Sequence, residues 1–144
     1  RERRPGEAEC PQLRLLRIEG SLYFGAVDHV GDYLQRIWER RPAQKHLLVL
    51  SKSMNFVDLA GAELLAREAD RRRARGGGIY FHGLRESAAR MITGPAFAAR
   101  FGSGATFATK AEAIAVLFER LDRGVCATCR ARVFTECRSL PPPV

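Results

Sequence analysis

Residues 53–61 read Ser-Met-Asn-Phe-Val-Asp-Leu-Ala-Gly and lie between an apolar run at 46–50 and a long helix-forming segment. A strand-to-helix turn of this kind sits outside the carboxyl end of a strand, where ligands collect in open α/β sheets. Its helix N-terminus also presents unpaired N–H groups to an anion. Ser53, Asn55, Asp58, Leu59, Ala60 and Gly61 are therefore the candidate partner- or ligand-binding residues. Each residue has a structural reading beside this one: Asp58 caps the helix, Phe56 and Val57 pack, and Gly61 permits close approach.

The thiols form a second set. Cys126, Cys129 and Cys137 follow a Cys-x2-Cys-x7-Cys spacing, which supplies three soft ligands of a zinc site. A fourth ligand would come from Cys10, a histidine or a neighbouring chain. Reduced, unliganded thiols are the commoner state for such a spacing, so no metal or other cofactor is assigned. Four clustered cysteines are too few for a disulfide framework, and the rest of the fold is not expected to depend on them. The C-x-x-C pair follows the last helix instead of opening one, which argues against a redox motif.

Other chemistry is missing its partners. His29, His46 and His82 have no nucleophile in a recognisable turn, and no carboxylate pair has metal-ligand spacing. No catalytic residue is assigned, and the chain is read as a non-enzyme. Gly102, Ser103 and Gly104 with Lys110 downstream lack phosphate-loop spacing and read as a tight turn. Arg71, Arg72, Arg73 and Arg75 suit the carboxyl end of a helix. No RNA-binding aromatic motif accompanies them, so nucleic acid is not expected as a partner.

The elements that must hold these residues follow from the apolar pattern. At 144 residues the chain fits one domain, and a domain of that size buries about 68–70% of its unfolded surface. Its hydrophobic fraction of 46% and charged fraction of 28% are ordinary for a globular protein. No stretch approaches the ~18 consecutive apolar residues of a membrane span, nor does a signal peptide follow the charged start, so a soluble, cytosolic fragment is expected. A net charge of +8 suggests an anionic neighbour.

Residues 13–18 and 22–24 are read as two short strands of an antiparallel hairpin turning at Gly20, with a helix over 26–40. A strand at 46–50, a turn at 51–57 and a helix over 58–75 capped by Asp58 come next. A strand at 79–81, a short helix at 86–92 and a short strand at 105–108 follow. The last helix starts at the capping box 109–112 and runs to about Gly124. Strands alternating with helices imply an α/β fold with a mainly parallel sheet. The expected division is a flexible linker over 1–11, the domain over 12–124 and a Cys- and Pro-containing tail over 125–144.

With these elements in place, the turn Asn-Phe-Val-Asp-Leu-Ala-Gly at 55–61 resembles the signature turn of STAS domains, shared by anti-sigma-factor antagonists and sulfate-transporter tails. Arg-Ile-Glu-Gly-Ser-Leu-Tyr-Phe-Gly at 17–25 and the cysteine tail resemble the SulP branch of anion permeases. The resemblance implies a STAS-like mixed sheet of about 4–5 strands with four helices. In the antagonist branch the residue after the aspartate is a phosphorylated serine; here Leu59 and Ala60 carry no hydroxyl. The resemblance therefore implies a regulatory domain on the cytoplasmic side of the bacterial inner membrane, attached to a sulfate, bicarbonate or dicarboxylate transporter. Implied partners are the transporter's own transmembrane domain, acyl carrier protein or a nucleotide, and a second copy of the domain. A free-standing partner-switching regulator is the alternative.

Overall fold

The computed structural model describes residues 8–144. The linker expected over 1–11 falls outside the described residues as far as residue 7. Beyond that point Glu9 pairs with Arg14 at 2.8 Å and Arg41 at 3.4 Å, and Cys10 is buried.

Among the described residues six short strands form two sheets. In the larger, β1 (Leu13–Arg17), β3 (His46–Leu50), β5 (Gly78–His82) and β6 (Thr106–Phe107) lie in the order β1-β3-β5-β6, all parallel. In the smaller, β2 (Gly20–Leu22) runs parallel to β4 (Met54–Val57). The expected antiparallel hairpin is thus corrected. Gly20, at φ +78°, bends the chain as anticipated, but β2 leaves β1 and continues beside β4, a strand that the sequence hid inside the turn at 51–57. The chain bends again after β3, and the amide of Gly20 donates to the Ser53 carbonyl at 2.9 Å to join the two bends. The product is one pair of parallel strands broken twice at the same level.

Helices fill the connections: α1 (Val27–Arg40), α2 (Leu59–Arg73), α3 (Glu86–Ile92), α4 (Ala98–Phe101), α5 (Lys110–Phe118) and α6 (Arg123–Thr128). The helices outnumber the expected four, while the larger sheet has four strands, as expected, and the α/β class holds. Leu47, Leu48 and Val49 are fully buried, as a strand covered on both faces requires. Ala62, Leu65, Ala66 and Ala69 make the buried stripe of α2 at helical spacing. Thr109 caps α5 by accepting from the Glu112 amide at 3.1 Å.

That last helix stops earlier than expected, at Phe118. Asp122 starts a new helix, its carboxylate accepting from the Gly124 amide at 2.8 Å. Gln12, beside β1, grips this start from both sides, accepting from the Asp122 amide at 2.8 Å and donating to its carbonyl at 3.0 Å. Residues beyond 125 consequently pack back onto the domain, and Cys126 and Phe134 join Cys10 in the hydrophobic core. Two of the four cysteines, Cys10 and Cys126, are thus part of the fold's interior, contrary to the expectation that it stands apart from them.

Candidate functional site

Asp58 has the β-region backbone of an N-cap, and its carboxylate works in two directions. Oδ1 accepts from the Gly61 amide at 2.8 Å, capping α2, while Oδ2 accepts from the Phe24 amide at 3.0 Å. Its own amide donates to the Leu22 carbonyl at 3.1 Å. One residue therefore fastens the start of α2, the end of β2 and the 3-10 turn Phe24–Ala26 together. The chain's own carboxylate sits at the helix N-terminus, the place an external anion would take.

Gly61 shows why the approach must be close. A Cβ there would lie 2.5 Å from the Leu22 carbonyl oxygen, well inside van der Waals contact. Leu59 and Ala60, between cap and glycine, open the helix toward solvent, and Leu59 is 65% exposed. Ser53 and Asn55 are exposed too, in the segment that leads to the cap. There the Asn55 carbonyl accepts from Ser87 Oγ at 3.3 Å, and the Lys52 carbonyl accepts from Arg85 Nε at 3.1 Å. The structure thus ties Asp58 and Gly61 to the end of β2 with Leu59 and Ala60 between them, turns the Asn55 carbonyl toward α3, and sets the Ser53 carbonyl against Gly20 at the start of β2.

The sequence reading missed three residues of this face. Phe24 is 81% exposed, Tyr23 51% and Phe56 47%, and the pairing of Ser21 with Phe56 and Leu22 with Val57 brings their segments together. Phe56 had a packing role in the structural reading, and Tyr23 and Phe24 were assigned to a strand. No alternation gave them away: in Met54–Val57 the ends are buried and the middle two residues exposed, so period-two reasoning would have buried Phe56 with Met54. At the carboxyl end of β5, burial first, then the charges of Lys110 and Lys52, hold the His82 imidazole below its ordinary value.

This arrangement presents an apolar surface on a clamped, rigid turn. Such a surface binds by burying its own area from water. The arginines at the other end of α2 are used structurally. Arg72 is buried, pairing with Glu68 at 3.0 Å and donating to the Gln44 carbonyl at 2.9 Å, while Arg71, Arg72 and Arg75 surround the Trp38 ring. Among the described residues, no helix is long and apolar enough to cross a membrane.

Comparison with known proteins places this architecture. The family model described as STAS domain matches residues 7–113. The fold is similar to the anti-sigma factor antagonist SpoIIAA in its unphosphorylated form, with a TM-score of 0.64, 15% identity, and coverage of 78% of this chain and 94% of that one. It is similar to a sulfate transporter family protein from Wolinella succinogenes, at 0.63 and 17% identity over 75% of this chain and 86% of that one. The STAS domain of a SulP transporter from Vibrio cholerae scores 0.58 at 20% identity over 83% of this chain and 88% of that one. A search among curated proteins found no match.

Proposed function

The chain belongs to the STAS domain family, and from that premise we propose that it is the cytoplasmic regulatory domain of a SulP-type inner-membrane anion transporter. STAS domains are regulatory and interaction modules, and here the chain is read as a binding surface with no catalytic step of its own. The observation that carries the reading is Leu59. At the position where the antagonist branch carries a phosphorylated serine stands an apolar side chain, 65% exposed, and the neighbouring segments expose Phe24 and Phe56 as well. A surface built this way favours a constant apolar partner over one switched by phosphate. The transporter's own transmembrane domain fits that description, and the cargo, whether sulfate, bicarbonate or dicarboxylate, would bind there. A second copy of the domain, acyl carrier protein and a nucleotide are secondary partners; the net charge of +8 would favour the acidic ones.

The reading frame upstream of Arg1 provides the first test. A run of apolar spans supports the proposal, and a start codon close to Arg1 sinks it. The second test is made in the full transporter. Leu59→Ser together with Phe24→Ser should change anion uptake into proteoliposomes while leaving the transporter's abundance intact. Uptake identical to that of the parent protein would refute a role for this face.

The free-standing partner-switching regulator keeps one observation in its favour, the similarity to SpoIIAA over 94% of that chain. It predicts stoichiometric phosphoserine near Ser53 after incubation with candidate kinases, read by mass spectrometry.

A further inference from the structure

Away from the turn, at the amino end of β1, one small cavity is lined by Cys10, Cys126, Cys129 and Cys137, which are all four cysteines of the chain. Its volume of about 10 Å³ leaves room for a single atom-sized guest. Two residues arrange the thiols around it. Arg132 holds a left-handed backbone at φ 42°, a conformation a non-glycine residue keeps only when its surroundings insist on it. Its guanidinium donates to the carbonyls of Cys129 at 2.9 Å, Cys126 at 3.1 Å and Cys137 at 3.4 Å. One side chain thereby ties the backbones of three cysteines to a common hub. From the other side, Gln12 Nε2 approaches Cys126 Sγ at 3.5 Å, a donor contact that strengthens when the sulfur is a thiolate.

We propose that Cys10, Cys126, Cys129 and Cys137 form a tetrathiolate zinc site that fastens the tail to the start of β1. Four soft sulfur donors with one x2 pair match the ligand set of a closed structural zinc site, and sulfur donors select zinc over the hard cations. Among the described residues no three His, Cys, Asp or Glu side chains already stand together as a metal-ligand set. Closing the site is left to Cys129 and Cys137, which are half-buried on the tail, whereas Cys10 and Cys126 are fixed in the core. Zinc at ~2.3 Å from four sulfurs requires those two thiols to turn into the cavity that all four cysteines line. The metal would cross-link Cys10 to the tail and make the tail's attachment depend on zinc.

The test uses the purified 144-residue chain, fully reduced and stripped of metal, titrated with zinc and with cobalt. The expected result is one metal per chain, a sulfur-to-cobalt charge-transfer band, a zinc-dependent rise in the thermal midpoint, and protection of residues 125–144 from proteolysis. Cys10→Ser and Cys129→Ser should each abolish equimolar binding and the zinc-dependent rise. Because Cys129 is half-buried, its variant keeps the fold, which circular dichroism verifies. The proposal is overturned by a reduced chain that takes no cobalt, by cobalt bound without thiolate bands, or by binding that survives Cys10→Ser. Oxidation of the thiols to disulfides with no prior metal uptake by the reduced chain would also overturn it.

Discussion

At the amino end of the sheet Arg72 is 1% exposed and Glu68 2%, while at the carboxyl end Phe24 is 81% exposed and Leu59 65%. Charge is buried where the chain needs only to hold itself together, and apolar surface is left in water where it can meet something else. Each arrangement carries a cost. A buried ion pair must recover its lost hydration through hydrogen bonds, and the Glu68 carboxylate does so through both Arg71 at 2.6 Å and Arg72 at 3.0 Å. Exposed aromatic and leucine side chains bring no such return within the monomer. The contrast supports the proposed interaction at the carboxyl end, and each prediction below perturbs one end while sparing the other.

The amino end should be the more fragile. Glu68→Gln keeps the volume but leaves the Arg72 guanidinium buried without a counter-charge. Breaking one side of a buried pair costs about 3–5 kcal/mol, and urea denaturation should read a loss of that order. A loss below ~1 kcal/mol would mean that solvent reaches Arg72 and that the two ends differ less than their exposures suggest.

His46 extends the same contrast to pH. Burial, followed by repulsion from Arg120, Arg72 and Lys45, lowers its pKa to about 4, and its Nδ1 lies 2.9 Å from the Tyr80 hydroxyl. The folded state thus binds its proton less readily than the unfolded chain, whose imidazole titrates near 6.5. Stability from this group is fully present above pH ~6.5 and is lost progressively as pH falls through about 4. The shift corresponds to a loss on the order of 3 kcal/mol. Urea midpoints measured across that window should fall, and His46→Gln should remove most of the slope. The carboxyl-end face carries no comparable buried group and should add little to it.

Legibility in the sequence follows the same division between local and distant causes. Asp58 as a cap, the capping box at Thr109 and the helix at 86–92 were all readable, because each depends on neighbours within one turn. The pairing of β2 with β4 was not, since a run as short as Met-Asn-Phe-Val becomes a strand only when a distant partner supplies its hydrogen bonds. Glu68 and Arg72 have the i, i+4 spacing of any solvated helix pair, so nothing local marked them as interior. Tyr23 and Phe24 were read as part of a strand with Leu22, because apolar and aromatic residues in a row favour one, whereas β2 ends at Leu22 and leaves both exposed. The aspartate at the centre of the site was evident, but its second bond, to the Phe24 amide, was not.

The clamp offers an intermediate perturbation. Gly61→Ala must push α2 away from the Leu22 carbonyl, now 2.5 Å from the added carbon, and overpacking of this kind costs about 1–3 kcal/mol. Asp58→Ala removes a cap, a loss of about 1 kcal/mol. It should also speed hydrogen exchange at the Phe24 amide, which a cap serving α2 alone would leave unchanged. Asp58→Asn retains an acceptor for Gly61 and should fall between the parent and the alanine variant. Identical exchange at Phe24 in all three proteins would show that the clamp has only one arm.

The smallest stability effect belongs to the residues with the greatest proposed role. Leu59→Ser and Phe24→Ser alter side chains that are mostly in water, so each should shift stability by no more than about 0.5 kcal/mol. Relief of exposed apolar surface should also lower self-association, measured by sedimentation at rising concentration. If the face serves the fold, these variants will unfold more readily than the parent, and the contrast between the two ends collapses. If it serves a partner, stability will hold while binding or transport changes. Only that dissociation of stability from function separates a docking surface from an ill-covered core, and serine at position 59 adds a further discriminant. It restores the hydroxyl that the antagonist branch carries after its aspartate, so phosphorylation of Leu59→Ser by a candidate kinase would show that the surrounding surface is competent for the switch and that the parent chain lacks only its acceptor.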